Sequence, residues 1–271
     1  MNYRHSFHAG NFADLVKHAL LLDLIARLQG EAPLTVIDTH AGRGLYDLSG
    51  DAVRSREAEA GIARLMAAEV MPPQLARLAG AVRNCNTSQG VRWYPGSPLL
   101  VAERHGAGDQ YIGFELRPEE AEALTRTLAS WPAALAVEAD GYEAGPTALP
   151  SGGPVLVLID PPFERPDDYR RAVEAARATR SRRPDAVIAI WLPIKDAETL
   201  DAFVRGLEAV RLTGLMAECR LRPLTNPMKM NGCAVALIGA PDGVEASARS
   251  VVEWVATTLG DPGGRGEVWR F

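Results

Sequence analysis

A doubly wound α/β fold, with helices on both faces of a mostly parallel sheet, is the architecture that the sequence predicts. Short apolar runs alternate along the chain with Ala-, Glu-, Arg- and Leu-rich stretches of helical spacing. The runs are continuously apolar, as expected for strands that are buried on both faces. The predicted strands are residues 34–38, 111–115, 134–138, 155–160, 186–192 and 233–239.

A helix is predicted before the first strand, at residues 11–28, and others between strands, at 118–130 and 169–180. The spacing between Asp38 and Glu115 is much longer than the roughly 30 residues of one βαβ unit. We therefore expect a small helical insertion at residues 47–93, with helices at 55–68 and 73–84, inside a main domain of residues 1–46 and 94–271. The Gly- and Pro-rich tail at residues 260–265 is predicted to be a loop.

Composition excludes several classes of protein. No apolar stretch of the 271 residues approaches the roughly 20 needed to span a bilayer, and the N-terminus is too polar for a signal peptide. Cys85, Cys219 and Cys233 have neither disulfide nor metal-ligand spacing, which fits a reducing cytoplasm. His5 and His8 have no partners that would complete a metal site. We expect a cytoplasmic monomer without a metal ion.

Charge leaves the question of a nucleic-acid partner open. The net charge of −5 weighs against one, because binding to phosphates normally needs a basic surface. Seven arginines nevertheless stand against four acids between Glu164 and Arg183. This stretch is either a basic surface for RNA or a solvated helix face with i,i+4 ion pairs.

An acid, two prolines and an aromatic residue follow the apolar strand at 155–159. In Asp160-Pro161-Pro162-Phe163 the prolines stiffen the backbone as it leaves the sheet. The Asp160 carboxylate and the Pro161 carbonyl could then accept both N–H bonds of a planar amine, and Phe163 could stack on its ring. This reaction turn, residues 160–163, predicts group transfer to such an amine. A capping Asp beside a core Phe is the structural alternative.

Strand-end residues suggest the cofactor. Gly42 and Gly44 follow the first strand and allow a ligand to approach the backbone closely. Glu115 ends the next strand, where an acid can bind ribose hydroxyls, and Asp140-Gly141 could hold an adenine amine. Asp47 replaces the third glycine of a dinucleotide motif, and a P-loop is absent. An adenosine site that lacks a diphosphate-binding loop favours S-adenosylmethionine over NAD. The alternative is that each of these residues has a purely structural role.

The N-terminal segment is rich in groups that could reach a ligand. Tyr3, Lys17 and His18 are predicted to extend over the cofactor or the target base. A polar lead-in that caps the helix at 11–28 is the alternative.

Five motifs together carry a family resemblance: YRHSFHAGNFADLVKH at 3–18, DTHAGRG at 38–44, YPGSP at 94–98, EADG at 138–141 and DPPF at 160–163. In order and spacing they resemble the bacterial ribosomal RNA large subunit methyltransferase J family. The resemblance implies a Rossmann-like class I methyltransferase fold with a seven-stranded sheet. It also implies S-adenosylmethionine-dependent N6-methylation of one adenine in 23S ribosomal RNA.

The resemblance also implies roles for individual residues. It makes Asp160 the catalytic acceptor and places Tyr3 near the target base, with Lys17 and Phe163 on the RNA side. Phe163 stands where the family commonly has a tyrosine, which retains stacking but removes a hydroxyl. The implied cofactor contacts are His18, His40, Ser97, Glu115, Asp140, Gly141 and Asp160, beside Gly42.

Other acceptors and one other class of protein remain open. DNA adenine, RNA guanine or a protein glutamine amide could also face an acid-Pro-Pro-aromatic turn. A non-catalytic RNA-binding assembly factor could keep the fold, but it would be expected to have a damaged cofactor site.

Overall fold

The computed structural model describes residues 7–49, 56–87 and 90–271, so Tyr3 and His5 lie outside the described residues. The strands are β1 Thr35–Asp38, β2 Leu45–Asp47, β3 Trp93–Pro95, β4 Gln110–Glu115, β5 Ala134–Glu138, β6 Val155–Ile159, β7 Val187–Ile194, β8 Gly214–Arg220, β9 Gly232–Ile238 and β10 Arg265–Arg270. The helices are α1 Phe12–Leu28, α2 Arg64–Ala67, α3 Pro73–Asn84, α4 Ser97–Ala102, α5 Pro118–Leu128, α6 Gly141–Ala144, α7 Asp168–Arg182, α8 Ala197–Ala209 and α9 Val244–Leu259, with a π-helical turn at Glu59–Ala63 and a 3₁₀ turn at Gly145–Thr147.

The described strands form one large sheet in the order β10-β8-β9-β7-β6-β1-β4-β5. The pairs β5-β4, β4-β1, β1-β6 and β6-β7 are parallel, whereas β9 and β10 run antiparallel to their neighbours. The predicted doubly wound, mostly parallel fold is confirmed. Helix α1 packs between this sheet and helices α3 and α9, so its buried residues extend around most of its circumference.

The sheet has eight strands in place of the seven expected. The extra strand, β10, begins at the end of the tail that the sequence analysis assigned to a loop, and it pairs with β8 at the sheet edge. It contains three charged residues and lacks the continuous apolar run that marked the six predicted strands. Strand β8 was not among those six either. Trp269 anchors β10 by donating its indole N–H to Glu218 over 3.1 Å.

The segment between β2 and β3 contributes to the same hydrophobic core as α1. Strand β2 pairs antiparallel with β3, which brings Asp47 opposite Trp93. Helix α3 has the bounds predicted for it, and it buries Leu75, Leu78 and Val82 against the core. The helix expected at 55–68 starts outside the described residues and contains the π-helical turn. No helix in the described parts of the chain has both the length and the apolar character required to cross a membrane.

Candidate active site

The carboxyl ends of three neighbouring parallel strands bring three acids to one edge of the sheet. Asp38 of β1 lies opposite Gly113 of β4 and Leu158 of β6. Glu115 lies two residues after Gly113, and Asp160 lies two residues after Leu158. Both acids therefore lie beyond Asp38 at this edge. Ligands of open α/β sheets bind at such edges. Glu115 and Asp160, which were predicted from the sequence, therefore come together beside Asp38, although 122 positions of chain separate Asp38 from Asp160.

A buried lysine lies between two carboxylates at the reaction turn. Lys17 of α1 donates to Oδ2 of Asp160 over 2.5 Å and lies 2.9 Å from Oδ1 of Asp14. The lysine side chain is 5% exposed and that of Asp160 13%. Burial by itself lowers the Lys17 pKa, but the charges and hydrogen bonds of the two acids outweigh it and raise this pKa well above its usual value. The lysine is thus a fixed positive charge at the turn.

The aromatic residue of the turn has an unusual backbone conformation. Phe163 has a φ of 49°, in the left-handed region that bulky residues rarely adopt. Its ring packs against Tyr169 and Trp191, with centroid distances of 4.5 and 5.9 Å. The nitrogen of Lys17 lies 5.8 Å from the Trp191 ring centroid. Backbone strain of this kind persists where surrounding packing fixes it, and it is common at functional sites.

The glycine loop is attached to Glu115. Gly42 has a φ of 62°, and its N–H donates to Oε2 of Glu115 over 3.0 Å. The other oxygen accepts the N–H of Arg117 over 2.8 Å. Burial raises the Glu115 pKa, which these backbone hydrogen bonds partly offset. A side chain at Gly42 would overlap the Tyr46 hydroxyl, so the loop requires glycine for both conformation and space.

A second group of contacts joins His40 to Asp140. The His40 ring meets Tyr142 edge to face at 4.5 Å, and the Arg171 guanidinium lies 4.4 Å from the Tyr142 ring centroid. Arg171 also donates to Oδ2 of Asp140 over 2.8 Å. Burial, together with the Arg171 charge, lowers the His40 pKa to about 3, against a weaker opposing effect of Asp140. His40 is therefore neutral at physiological pH.

Two predicted cofactor residues use their polar atoms within the protein. The Ser97 hydroxyl donates to Oδ2 of the buried Asp38 over 2.6 Å, and Tyr111 donates to the same oxygen over 3.1 Å. Burial raises the Asp38 pKa to about 6 despite these hydrogen bonds. Nδ1 of the buried His18 lies 2.8 Å from the Tyr94 hydroxyl. Asp38 and Tyr94 thus orient residues that the sequence assigned to the cofactor.

Three polar residues around the site were not predicted from the sequence. Asp14 lies one helical turn before Lys17, and this i,i+3 spacing was a usable signal. Asp38 ends β1 and begins the DTHAGRG motif, but its buried hydrogen bonds could not be predicted from the sequence. Arg171 meets Asp140 only through the packing of α7, so no local signal marks it.

The arginine-rich stretch divides between structural and surface positions. Arg170 pairs with Glu174 at 2.6 Å, as the solvated-helix alternative predicts. Arg183 is held in place by Asp185 and by the carbonyl groups of Pro150 and Gly153. Arg177 and Arg180 line a surface cavity of about 340 Å³, together with Arg211 from outside the stretch.

The residues at the sheet edge fit S-adenosylmethionine better than a dinucleotide. The Gly42 N–H donates to Glu115, so it is not available for a pyrophosphate. Glu115 accepts two backbone hydrogen bonds and retains lone pairs for ribose hydroxyls. Neutral His40 adds no positive charge that would repel a sulfonium. A side chain at Gly141 would overlap the Thr39 carbonyl, so glycine is required here for α6 to pack against the loop after β1.

The Rossmann-like sheet and this strand-end site define the class of protein, an S-adenosylmethionine-dependent methyltransferase. Residues 31–271 match the family described as "Ribosomal RNA large subunit methyltransferase D, RlmJ". The chain belongs to this RlmJ family of methyltransferases.

Two sequence relatives and one solved structure are similar to this protein over nearly the whole chain. Ribosomal RNA large subunit methyltransferase J of Escherichia coli is 31% identical over 96% of this chain and 94% of its own length. Its namesake in Haemophilus influenzae is 30% identical over the same shares. The crystal structure of protein LPL1258 from Legionella pneumophila superposes with a TM-score of 0.89, at 25% identity, and covers 97% of this chain and 98% of that one.

Proposed function

We propose that this enzyme methylates the N6 amine of one adenine in 23S ribosomal RNA, with residues 160–163 as its reaction turn. The observation that carries the proposal is the Lys17–Asp160 contact, which fixes a carboxylate beside Phe163 at the end of β6. Membership of the RlmJ family supports the choice of large-subunit ribosomal RNA as substrate. The roles of Tyr3, Pro161 and Phe163, and those of the cofactor contacts, are part of this proposal.

The reaction turn would act by accepting hydrogen bonds. The Asp160 carboxylate and the Pro161 carbonyl accept the two N–H groups of the amine, which draws its lone pair out of conjugation with the ring. S-adenosylmethionine, when bound, supplies the electrophilic methyl group. Phe163 stacks on the adenine and fixes its plane. An adenine within a duplex or stack has to be flipped out to enter such a site, and catalysis is then mainly positioning and electrostatics.

Lys17 would keep the Asp160 carboxylate ionised. Its ammonium stabilises the negative charge on Asp160, so the carboxylate remains an acceptor inside a buried site. The amine loses one proton when it gains the methyl group, and an Asp160 oxygen is the acceptor that we place nearest to that proton. Because Lys17 stabilises the negative charge of Asp160, it makes this carboxylate a weaker base. Asp160 therefore orients the amine and does not remove its proton before the methyl transfer.

Radiolabelled methyl transfer tests the proposal. Wild-type enzyme is incubated with tritiated S-adenosylmethionine and with 23S RNA, DNA and protein from cells that lack the methyltransferase. Nucleosides are then separated by chromatography. We expect label only in N6-methyladenosine from 23S RNA, and a loss of at least about a thousandfold in Asp160→Ala. Label in guanosine, DNA or glutamine would identify one of the other acceptors, and no transfer would favour an assembly factor.

The organisation of the chain is also a proposal. We infer that residues 47–93 form a helical subdomain inserted into a main domain of residues 1–46 and 94–271. The antiparallel pairing of β2 with β3 supports this, because it joins the two ends of the segment. We also infer that the protein acts as a monomer in the cytoplasm. The three free cysteines fit a reducing compartment, and light scattering of the purified chain tests the monomeric state.

A further inference from the structure

The helical insertion contacts the N-terminal segment at residues 8–11, immediately before α1. These residues lead from the chain start, which carries Tyr3, to the helix that carries Lys17. Three kinds of contact meet here: a shared carboxylate, a backbone hydrogen bond and close packing at two glycines. None of them belongs to the strand-end site.

Glu57 of the insertion holds two residues of this segment. Its Oε2 accepts the side-chain N–H of Asn11 over 3.0 Å, and its Oε1 lies 3.0 Å from Nδ1 of His8. Asn11 is the N-cap of α1, and its side-chain oxygen accepts the N–H groups of Ala13 and Asp14. One insertion carboxylate therefore determines the orientation of the residue that starts α1.

The π-helical turn Glu59–Ala63 fits against the backbone of the same segment. The N–H of Ile62 donates to the Gly10 carbonyl over 2.8 Å. A side chain at Gly61 would overlap that carbonyl, and one at Gly10 would come within 2.8 Å of the Ile62 side chain. Gly10 also has a φ of 78°, which favours glycine. Turns of the π type are rare and are often found at functional sites.

Asp14 connects this contact with the reaction turn. Its Oδ2 accepts the Gly10 N–H over 2.9 Å, while its Oδ1 holds Lys17. Lys17 in turn donates to Asp160. Residues 8–11 are therefore tied to the insertion through Glu57 and to the charges at the turn through Asp14.

We propose that the insertion is a clasp for the N-terminal segment, in which Glu57 and the π-helical turn Glu59–Ala63 position the residues that receive the RNA substrate. The inference rests on the proposed function for the identity of that substrate. Glu57 is a positioning residue that acts through His8 and Asn11. The clasp holds residues 8–11 in place at the start of α1, and none of its described contacts involves the cofactor residues.

Hydrogen exchange of the full-length enzyme, without RNA or cofactor, tests the clasp directly. In Glu57→Ala, we expect the backbone amides of residues 7–14 to exchange at least about threefold faster than in the wild type, because the N-cap loses its support. Glu57→Gln keeps an acceptor oxygen and should recover most of the protection. Glu59→Ala is the control, because only the backbone of Glu59 belongs to the π-helical turn, whereas its exposed side chain pairs with Arg56. Unchanged protection in Glu57→Ala would overturn the proposal.

Kinetics separate positioning from a general structural role. For Glu57→Ala we expect about a fivefold higher KM for RNA, with the dissociation constant for S-adenosylmethionine and the melting temperature unchanged. A change in cofactor affinity, or an unchanged KM, would contradict the clasp. If the wild type transfers no methyl group to RNA, the proposed function fails, whereas the exchange measurement still decides whether the clasp exists.

A spectroscopic readout checks the contact itself. The hydrogen bond to Glu57 and the charges of Glu57 and Asp14 raise the His8 pKa against a lowering by burial. Titration of His8 followed by nuclear magnetic resonance should give a lower pKa in Glu57→Gln than in the wild type, and the same pKa in Glu59→Ala. An unchanged value in Glu57→Gln would show that the carboxylate does not hold His8.

Discussion

The ammonium of Lys17 lies 2.5 Å from a carboxylate oxygen of Asp160, although 143 positions of chain separate the two residues. The contact joins α1, which precedes the first strand, to the turn after β6. Asp14 shares the same ammonium at 2.9 Å. The first helix therefore contributes a charge to the proposed reaction turn in addition to its apolar packing.

Neutralising this charge should destabilise the protein. Lys17→Met leaves two nearly buried carboxylates without their cation, so we expect the free energy of unfolding at pH 7 to fall by about 3 kcal/mol. Urea denaturation followed by circular dichroism measures it. Arg205→Met is the control, because Arg205 pairs with Asp201 on the exposed face of α8 and should matter by less than about 1 kcal/mol. If Lys17→Met and the wild type have the same urea midpoint, Lys17 does not stabilise the buried Asp160 carboxylate.

Glu115 offers a test of the cofactor site. Glu115→Gln removes the charge and one acceptor oxygen, so we expect the dissociation constant for S-adenosylmethionine to rise about tenfold. Isothermal titration calorimetry measures it. Glu119→Gln provides the control, because Glu119 lies nearby in the first turn of α5, with an exposed side chain. Equal affinities for Glu115→Gln and the wild type would remove Glu115 from the cofactor contacts.

His40 predicts a pH dependence of stability. Its pKa is about 3 when folded, against an ordinary 6.5 when unfolded, so below pH 6.5 the unfolded chain binds a proton that the folded chain does not. The stability contributed by neutral His40 is complete above pH 6.5 and is lost as the pH falls. Between pH 6 and 4, urea midpoints of His40→Gln should decrease less steeply than those of the wild type.

His8 is the matched control, because the fold shifts its pKa in the opposite direction to that of His40. Its folded pKa is raised, so its contribution is complete below pH 6.5 and is lost as the pH rises through the folded value. His8→Gln should therefore lose relative stability at low pH, and by a smaller amount, because His8 is partly exposed. If His40→Gln and the wild type have parallel profiles, His40 is not held neutral by the fold.

The arginines at the surface cavity and the arginine that follows α7 should differ in their effect on RNA. Arg177 and Arg211 line the surface cavity, so replacing both with Gln should weaken RNA binding and reduce the salt slope by about 2. Arg183→Gln should instead lower the free energy of unfolding, by about 1–2 kcal/mol, because its guanidinium holds two carbonyl groups. Fluorescence anisotropy over a salt series measures the slope. An unchanged slope in the double variant would place the RNA surface elsewhere.

Most of the sheet could be predicted because each central strand carries its own apolar signal. The run at 155–159 is buried throughout, and its burial depends little on which strands lie beside it. Strand β10 could not be predicted in this way, because it contains three charged residues and forms a strand only by pairing with β8. The same holds for the π-helical turn, which forms where Gly61 meets the Gly10 carbonyl.

The sequence by itself determined the fold class, the strand-end acids and the resemblance to the methyltransferase family, because these depend on local patterns and on the rule that parallel strands end at one edge. Only the tertiary structure decided the partners of those acids. Lys17 meets Asp160, Arg171 meets Asp140 and Ser97 meets Asp38 across long stretches of chain. Such pairings depend on helix packing and on burial, which also shifts the pKa values of Asp38 and His40, and neither is encoded in the neighbouring residues.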